Sequence, residues 1–90
     1  MAASGQITVT TAGTEVRATA QPGTAFLIKA LPANTGVMYV GNDGAEAVSS
    51  ATGYPLSAGE YVLLEMNNLN QMFVDASVSG EKVAWIQIRP

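Results

Sequence analysis

The sequence predicts an all-β fold: a small β-sandwich or jelly-roll-like domain of about seven or eight short antiparallel strands, with no long helix. Turn residues, mostly Gly, Asn and Pro, recur at short and regular intervals along the chain. The runs between them are rich in Val, Ile, Thr, Tyr and Phe, which favour strands. No segment carries the apolar stripe of an amphipathic helix. The turn signals lie at Gly13, Pro22-Gly23, Asn34-Thr35-Gly36, Gly41-Asn42-Asp43-Gly44, Gly53, Ala58-Gly59, Asn67-Asn68 and Ser79-Gly80.

Eight strands are predicted between these turns, and several alternate apolar and polar residues as a half-buried strand does. In the first of them, Ile7 and Val9 share one face against polar neighbours. Residues 67–70 predict one turn of 3₁₀ helix or a wide loop. The predicted strands cover residues 6–10, 15–19, 25–31, 37–41, 45–48, 61–65, 72–78 and 83–88.

Two of the predicted strands are apolar on both faces. They contain Tyr61-Val62-Leu63-Leu64 and Val37-Met38-Tyr39-Val40. A strand with this pattern is expected to be covered on both sides. The opposite sheet supplies one cover, and a neighbouring subunit is a candidate for the other.

A chain of 90 residues is expected to form one domain. It contains no Cys and no His, so neither disulfides nor the usual zinc, iron or copper ligand sets stabilise it. We expect a single β-sandwich domain over residues 7–90. Residues 1–6 are small and flexible, and they predict an N-terminal arm that lies along a neighbouring subunit.

The surface has few charges, because 48% of the residues are apolar and only 12% are charged, against about 25% charged in a typical domain. Small neutral residues must therefore cover much of it, and their low cost of desolvation predicts a surface that binds protein. A net charge of −3 and four scattered basic residues argue against nucleic acid. No signal peptide or apolar run of about 20 residues is present, so no membrane role is expected and synthesis is expected in the cytoplasm.

Catalysis is not predicted. Without His or Cys, the Ser–His–Asp and Cys–His arrangements are impossible, and most of the seven carboxylates lie in turns or beside Gly. No glycine spacing predicts a phosphate cradle, so we expect no catalytic residue, no cofactor and no metal. Gly41-Asn42-Asp43-Gly44 has the oxygen ligands and glycines of a partial calcium loop. A hairpin turn, which needs the same residues, is favoured over an adventitious cation site.

Eight residues are predicted to contact partner protein, six in the arm and two in a loop with an aromatic side chain. Phe26, Tyr39, Phe73 and Trp85 are instead predicted to be core or rim residues. Two or three exposed aromatics on one concave face would indicate a carbohydrate-binding module. The predicted interface residues are Met1, Ala2, Ala3, Ser4, Gly5, Gln6, Tyr54 and Pro55.

Four segments in order carry a resemblance to a known class of protein. They are Asn34-Thr35-Gly36-Val37-Met38-Tyr39-Val40-Gly41-Asn42, Gly53-Tyr54-Pro55-Leu56-Ser57-Ala58-Gly59-Glu60, Asn68-Leu69-Asn70-Gln71-Met72-Phe73-Val74-Asp75-Ala76 and Gly80-Glu81-Lys82-Val83-Ala84-Trp85-Ile86. Their order resembles small bacteriophage virion structural proteins over residues 7–88. The resemblance implies a compact β-sandwich or jelly-roll-like domain on a phage particle, without enzymatic activity.

A capsid decoration, or cement, protein is the leading interpretation. Its partners would be the major capsid protein or other virion proteins, and its location the virion, after synthesis in the host cytoplasm. A trimer or dimer is expected because junctions between capsid subunits have local symmetry. The alternatives are a tail or head-fibre component and a carbohydrate- or receptor-binding β module.

Overall fold

The computed structural model of the protein describes residues 3–42 and 46–90, which form eight strands and one short turn of 3₁₀ helix. The 3₁₀ turn spans Leu69–Gln71, where the sequence predicts it. The strands are β1 (Ser4–Val9), β2 (Val16–Arg17), β3 (Ala25–Ala30), β4 (Met38–Gly41), β5 (Tyr54–Leu56), β6 (Tyr61–Glu65), β7 (Phe73–Ala76) and β8 (Glu81–Arg89).

The strands form two four-stranded antiparallel sheets that face each other. Sheet I has the order β1-β8-β3-β6, and sheet II has the order β2-β7-β4-β5. Strands distant in sequence are neighbours: β1 pairs with β8, β2 pairs with β7, and β3 pairs with both β6 and β8. This is the two-sheet, eight-stranded jelly roll. The prediction of an all-β sandwich or jelly-roll-like fold is confirmed.

The core lies between the sheets and is built from alternate residues of the strands. Phe26 and Ile28 of β3 are fully buried, and Phe26 meets Trp85 of β8 edge to face with ring centroids 6.1 Å apart. Burial of each large apolar side chain stabilises the fold by about 1.5–3 kcal/mol. The largest fully buried side chains are Phe26, Ile28, Met38, Leu56, Leu69, Met72, Val9, Val40, Val74 and Val83.

Strand β1 begins two residues earlier than the sequence predicts. Ser4, Gly5 and Gln6, which we assigned to a flexible arm, pair with β8 instead. Gly5 lies against the indole ring of Trp85, where a Cβ would come within 3.0 Å of the ring. This contact explains why a segment of small residues is ordered. Met1 and Ala2 lie outside the described residues.

One predicted strand is wrong and one strand was missed. Residues 46–48 of the strand predicted at 45–48 form no strand, and position 45 lies outside the described residues. The missed strand is β5, which pairs with residues 38–40 of β4. Pro55 in its centre argues against a strand interior, but β5 is an edge strand, where a proline is tolerated.

A buried carboxylate fastens the loop that joins the two sheets. The Glu81 carboxylate accepts hydrogen bonds from the backbone N–H of Thr35 and Gly36 and from the Thr35 hydroxyl. Beside it, the Asn34 side chain donates to the Lys82 carbonyl at 2.8 Å and accepts from the Lys82 N–H at 3.3 Å. These bonds hold residues 31–36 against the start of β8.

Candidate interaction surface

The outer face of sheet II is covered by the chain's own loop. The loop from residue 46 to residue 53 runs back across the face, and Val48 is buried there although it lies outside the core cluster. The backbone N–H of Val48 donates to the Glu15 carboxylate at 2.7 Å. A Cβ built on Gly53 would come within 2.6 Å of Tyr39 and 3.0 Å of Val48, so the close approach requires glycine. The loop therefore covers the part of this face around Tyr39.

Asp75 is buried on the same side of sheet II. Its neighbours Val74 and Ala76 belong to the core cluster, so its side chain points away from the core. One carboxylate oxygen accepts from the N–H of Gly13 at 3.0 Å and from the N–H of Ala76 at 2.8 Å. The Asp75 side chain is therefore structural, because it fastens the turn at Gly13 to β7.

The outer face of sheet I carries an uncovered group of apolar side chains, which we call the apolar face: Leu27, Tyr61, Leu63, Ile86 and Ile88. Four of them are between 40% and 67% exposed, and Leu27 is half-buried among them. Ile86, Leu27 and Leu63 lie side by side on three adjacent strands. Contiguous exposed apolar patches are typical of protein interaction sites, so this face is the candidate interaction surface.

The remainder of the same outer face is polar. Ser4, Gln6 and Thr8 of β1 lie opposite Ile86, Ala84 and Lys82 of β8. The three β1 residues are all exposed. The apolar face therefore occupies one part of the outer surface of sheet I. Polar residues bound it on the β1 side, and the free edge of β6 bounds it on the other.

The free edge of β6 exposes backbone hydrogen-bonding groups. The Ala30 N–H donates to the Glu60 carbonyl and the Met66 N–H donates to the Thr24 carbonyl. Because bonding alternates along an antiparallel strand, the N–H and C=O groups of Tyr61, Leu63 and Glu65 point away from β3. Within residues 3–42 and 46–90, β6 pairs with β3 alone. An exposed apolar edge of this kind is a template for pairing with another strand.

The other three sheet edges are protected. Edge strand β2 has only two residues, and Pro55 removes a backbone donor from edge strand β5. Edge strand β1 is as long as β3, but its outward side chains Ser4, Gln6 and Thr8 are polar. Short strands, prolines and polar side chains are the usual means of preventing strand addition. Among the edges of this molecule, β6 combines length with apolar side chains.

The interface residues predicted from the sequence lie on two opposite sides of the molecule. Tyr54 and Pro55 line a shallow depression of about 350 Å³ together with Tyr61, beside the β6 edge. Ala3, Ser4, Gly5 and Gln6 lie at or in β1, the other edge of sheet I, and Met1 and Ala2 are outside the described residues. Tyr54 and Pro55 therefore adjoin one member of the apolar face, Tyr61, and Ser4 adjoins another, Ile86. An interface role for any of the eight residues stays a prediction.

The sequence pattern placed Tyr61 and Leu63 in a strand for which a subunit was a candidate cover, but it did not select Leu27, Ile86 or Ile88. Leu63, Ile86 and Ile88 each sit in a strand that the sequence does predict. The two-faced apolar pattern at residues 61–64 was the signal that could have found them. It indicated a second cover for this strand, and the structure shows that no described residue supplies one for Tyr61 and Leu63.

An open cleft continues the apolar surface around the β6 edge into the gap between the sheets. It has a volume of about 320 Å³. Leu64 and Met66 form one side, and the buried Met72 forms its floor. The full lining is Gly41, Asn42, Leu64, Glu65, Met66, Asn67, Gln71 and Met72.

The site has little charge. Lys29 lies next to Tyr61 across the β3–β6 pair, and the exposed Glu65 and Arg89 side chains form an ion pair at 3.4 Å.

No group of three or more His, Cys, Asp or Glu residues in the described part of the chain could hold a metal ion. The Gly41-Asn42-Asp43-Gly44 turn falls partly outside it, because residues 43–45 are not described. No helix of the described chain is long and apolar enough to cross a membrane.

The ionisable group with a clear electrostatic role, Glu81, lies away from this surface. The Thr35 N–H that donates to its carboxylate lowers the pKa of Glu81 below the ordinary 4.5. Burial opposes this effect, and the Gly36 N–H and the Thr35 hydroxyl add to it. Glu81 is therefore held as a carboxylate for a structural purpose.

Comparisons with known proteins gave no match: no protein-family model, curated protein or solved structure is significantly similar to this chain.

Proposed function

We propose that this protein is a non-enzymatic structural component of a bacteriophage virion, a decoration or cement protein that binds the capsid shell through its apolar face. The observation that carries the proposal is the exposure of Leu63, Ile86 and Ile88 beside Leu27 on one sheet. The order of the four sequence segments described above, which resembles that of small virion proteins, supports the choice of partner.

The shape of the surface suits a shell more than a small ligand. The apolar face is the outside of a sheet, so its side chains are spread over strands β3, β6 and β8. A broad contact with few charges binds by excluding water from apolar side chains. A protein that binds the assembled shell and not its loose subunits stabilises the shell by mass action.

Mass spectrometry of purified virions from the phage that carries this gene tests the proposal. We expect the protein in fixed proportion to the major capsid protein. Virions stripped of the protein should release their DNA at a lower temperature and regain stability when recombinant protein is added. Absence of the protein from virions would reject the proposal, and its presence in tails or fibres alone would reject the capsid assignment.

A pair of matched variants identifies the binding surface. Ile86→Asp places a charge in the apolar face and is expected to lower occupancy on stripped virions about tenfold or more, since charge is depleted from the cores of interfaces. Thr8→Asp places the same charge on the polar half of the same sheet and should bind as the unmodified protein does. Equal binding by both variants would show that the apolar face is not the contact.

A carbohydrate- or receptor-binding module is the second candidate. Tyr54 and Tyr61 are the most exposed aromatics and line one depression together, and aromatic faces of this kind stack on sugars. A glycan array with the unmodified protein and with Tyr54→Ala and Tyr61→Ala separates the candidates. Saturable binding that both substitutions abolish would favour the module, while the cement proposal predicts no such binding.

A further inference from the structure

We infer that two copies of this chain pair through their β6 edges, antiparallel and about a twofold axis at Leu63, so that the two copies of sheet I become one eight-stranded sheet. This inference goes beyond the proposed function, because it concerns the edge of sheet I and holds whether or not its outer face binds a shell.

The register follows from the backbone. The outward-pointing peptide groups of β6 belong to residues 61, 63 and 65, which are centred on Leu63. In an antiparallel pair about a twofold axis at this residue, Leu63 opposes itself and Tyr61 opposes Glu65 of the second copy. All six outward groups of each copy then gain a partner, because paired residues in these positions exchange both of their hydrogen bonds.

The side chains on the outer face fit this register. Ile86, Leu27 and Leu63 form a row across β8, β3 and β6. The axis extends this row through the second copy, so that six apolar side chains follow one another across the joined sheet. Directly opposed apolar side chains stabilise a strand pair.

The inner face fits equally well. Val62 and Leu64 are half-buried and pack at the margin of the core, and Leu64 also lines the cleft between the sheets. In the same register Val62 opposes Leu64 of the second copy, in the closely spaced type of pair. Pairing would therefore cover the half-exposed apolar side chains on both sides of the edge strand.

The charges are complementary as well. Lys29 neighbours Tyr61 across β3 and β6, and Tyr61 opposes Glu65 of the second copy. Two strand spacings, about 10 Å, then separate the backbones of Lys29 and that glutamate, a distance that the long lysine side chain spans. Lys29 and that glutamate lie in one row on either side of Tyr61, so opposite charges neighbour each other twice about the axis. No like charges oppose each other in β6. A second copy thus fits this edge in its hydrogen bonds, apolar pairs and charges.

Sedimentation equilibrium of the purified protein tests the inference, with Leu63→Lys as the disruptive variant and Gln6→Lys as its matched control. Both residues are exposed on the outer face in the middle of an edge strand of sheet I. We expect a dimer of two 9.3 kDa chains. Leu63→Lys opposes two like charges on the axis and should weaken dimerisation about tenfold or more, whereas Gln6→Lys should leave it unchanged.

Single cysteines test the register without relying on a disruptive variant, because the chain has no cysteine of its own. Paired residues of this type have Cα atoms about 5.5 Å apart, within the range of a disulfide. Leu63→Cys should therefore form a disulfide dimer on mild oxidation. Tyr61→Cys should not, because the two copies of that residue lie about four residues apart along the strands, and Gln6→Cys should not either.

Several outcomes would overturn the inference. They are a monomer at every concentration, a trimer, equal weakening by Leu63→Lys and Gln6→Lys, or cross-linking of Tyr61→Cys as fast as Leu63→Cys. Circular dichroism of each variant establishes that it is folded. Because Ile86→Asp leaves the β6 edge intact, loss of virion binding in that variant with an unchanged dimer separates this inference from the proposed function.

Discussion

The outer faces of the two sheets differ in what covers them. On sheet II, the loop from residue 46 to residue 53 places Val48 over the sheet, and the Val48 N–H donates to Glu15. Asp75 on the same side accepts from the N–H of Gly13. On sheet I, Leu63, Ile86 and Ile88 stand exposed. Both sheets carry apolar side chains on their outer faces, but the chain covers its own on one side only. Apolar side chains that the loop buries on sheet II stabilise the fold, whereas the exposed apolar side chains on sheet I are available to a partner.

The largest expected difference between the two outer faces is the loss of stability when one apolar residue on each is replaced by aspartate. Val48→Asp buries an unpaired carboxylate beneath the loop and is expected to destabilise the domain by about 3 kcal/mol or more. Ile88→Asp makes the same change on the apolar face and should lower stability by less than about 1 kcal/mol.

Urea unfolding measures both variants, with the buried Trp85, the single tryptophan of the chain, as the fluorescent probe. Equal losses would show that the loop does not seal sheet II. The dimer inferred above would add to apparent stability, so both variants are compared at one low protein concentration.

Removal of one carboxylate from each face gives a smaller effect. Glu15→Ala removes the acceptor of the Val48 N–H and is expected to destabilise the domain by about 1 kcal/mol. Glu65→Ala removes half of an exposed ion pair with Arg89, which should change monomer stability by about 0–0.5 kcal/mol. Thermal unfolding at low protein concentration measures both variants. A larger loss of stability in Glu65→Ala than in Glu15→Ala would show that Glu65, and not Glu15, is the structural carboxylate.

The dependence of stability on pH sharpens the same distinction. Since the pKa of Glu81 is lowered in the folded state by bonds to Thr35 and Gly36, its contribution is fully present above about pH 4.5 and disappears as the pH falls through the lower, folded value. The urea midpoint should therefore fall on acidification below pH 4.5. Glu81→Gln should reduce this fall, and Glu65→Gln on the open face should retain it. An unchanged fall in Glu81→Gln would show that other groups cause the acid sensitivity.

The sequence predicts the positions of the strands better than it predicts which parts of the chain cover them. The bounds of β6 are as predicted, because Tyr61–Glu65 lies between Gly59 and Asn67-Asn68, both strong turn signals. At residues 45–48 the apolar Val48 suggested a strand, but its burial comes from packing on sheet II as part of a loop. An apolar residue in a sequence pattern indicates a buried side chain, but the pattern does not indicate which part of the chain buries it.

The candidate surface was less predictable for the same reason. The patterns at residues 37–40 and 61–64 are alike, since both are apolar on both faces. In the fold, Tyr39 in the first is half-buried beside Gly53, while Tyr61 and Leu63 in the second are exposed. The difference depends on the path of a loop that is distant in sequence, and local patterns do not record it.

The position of β8 has a consequence for biosynthesis. This strand is made after every other strand of the domain, yet it lies inside sheet I between β1 and β3. While the ribosome still holds it, β1 lacks the strand with which it pairs in this sheet, and the two sheets cannot close over Trp85. Closure of the two sheets must therefore await emergence of this strand from the exit tunnel, and the apolar side chains of the core stay exposed until then.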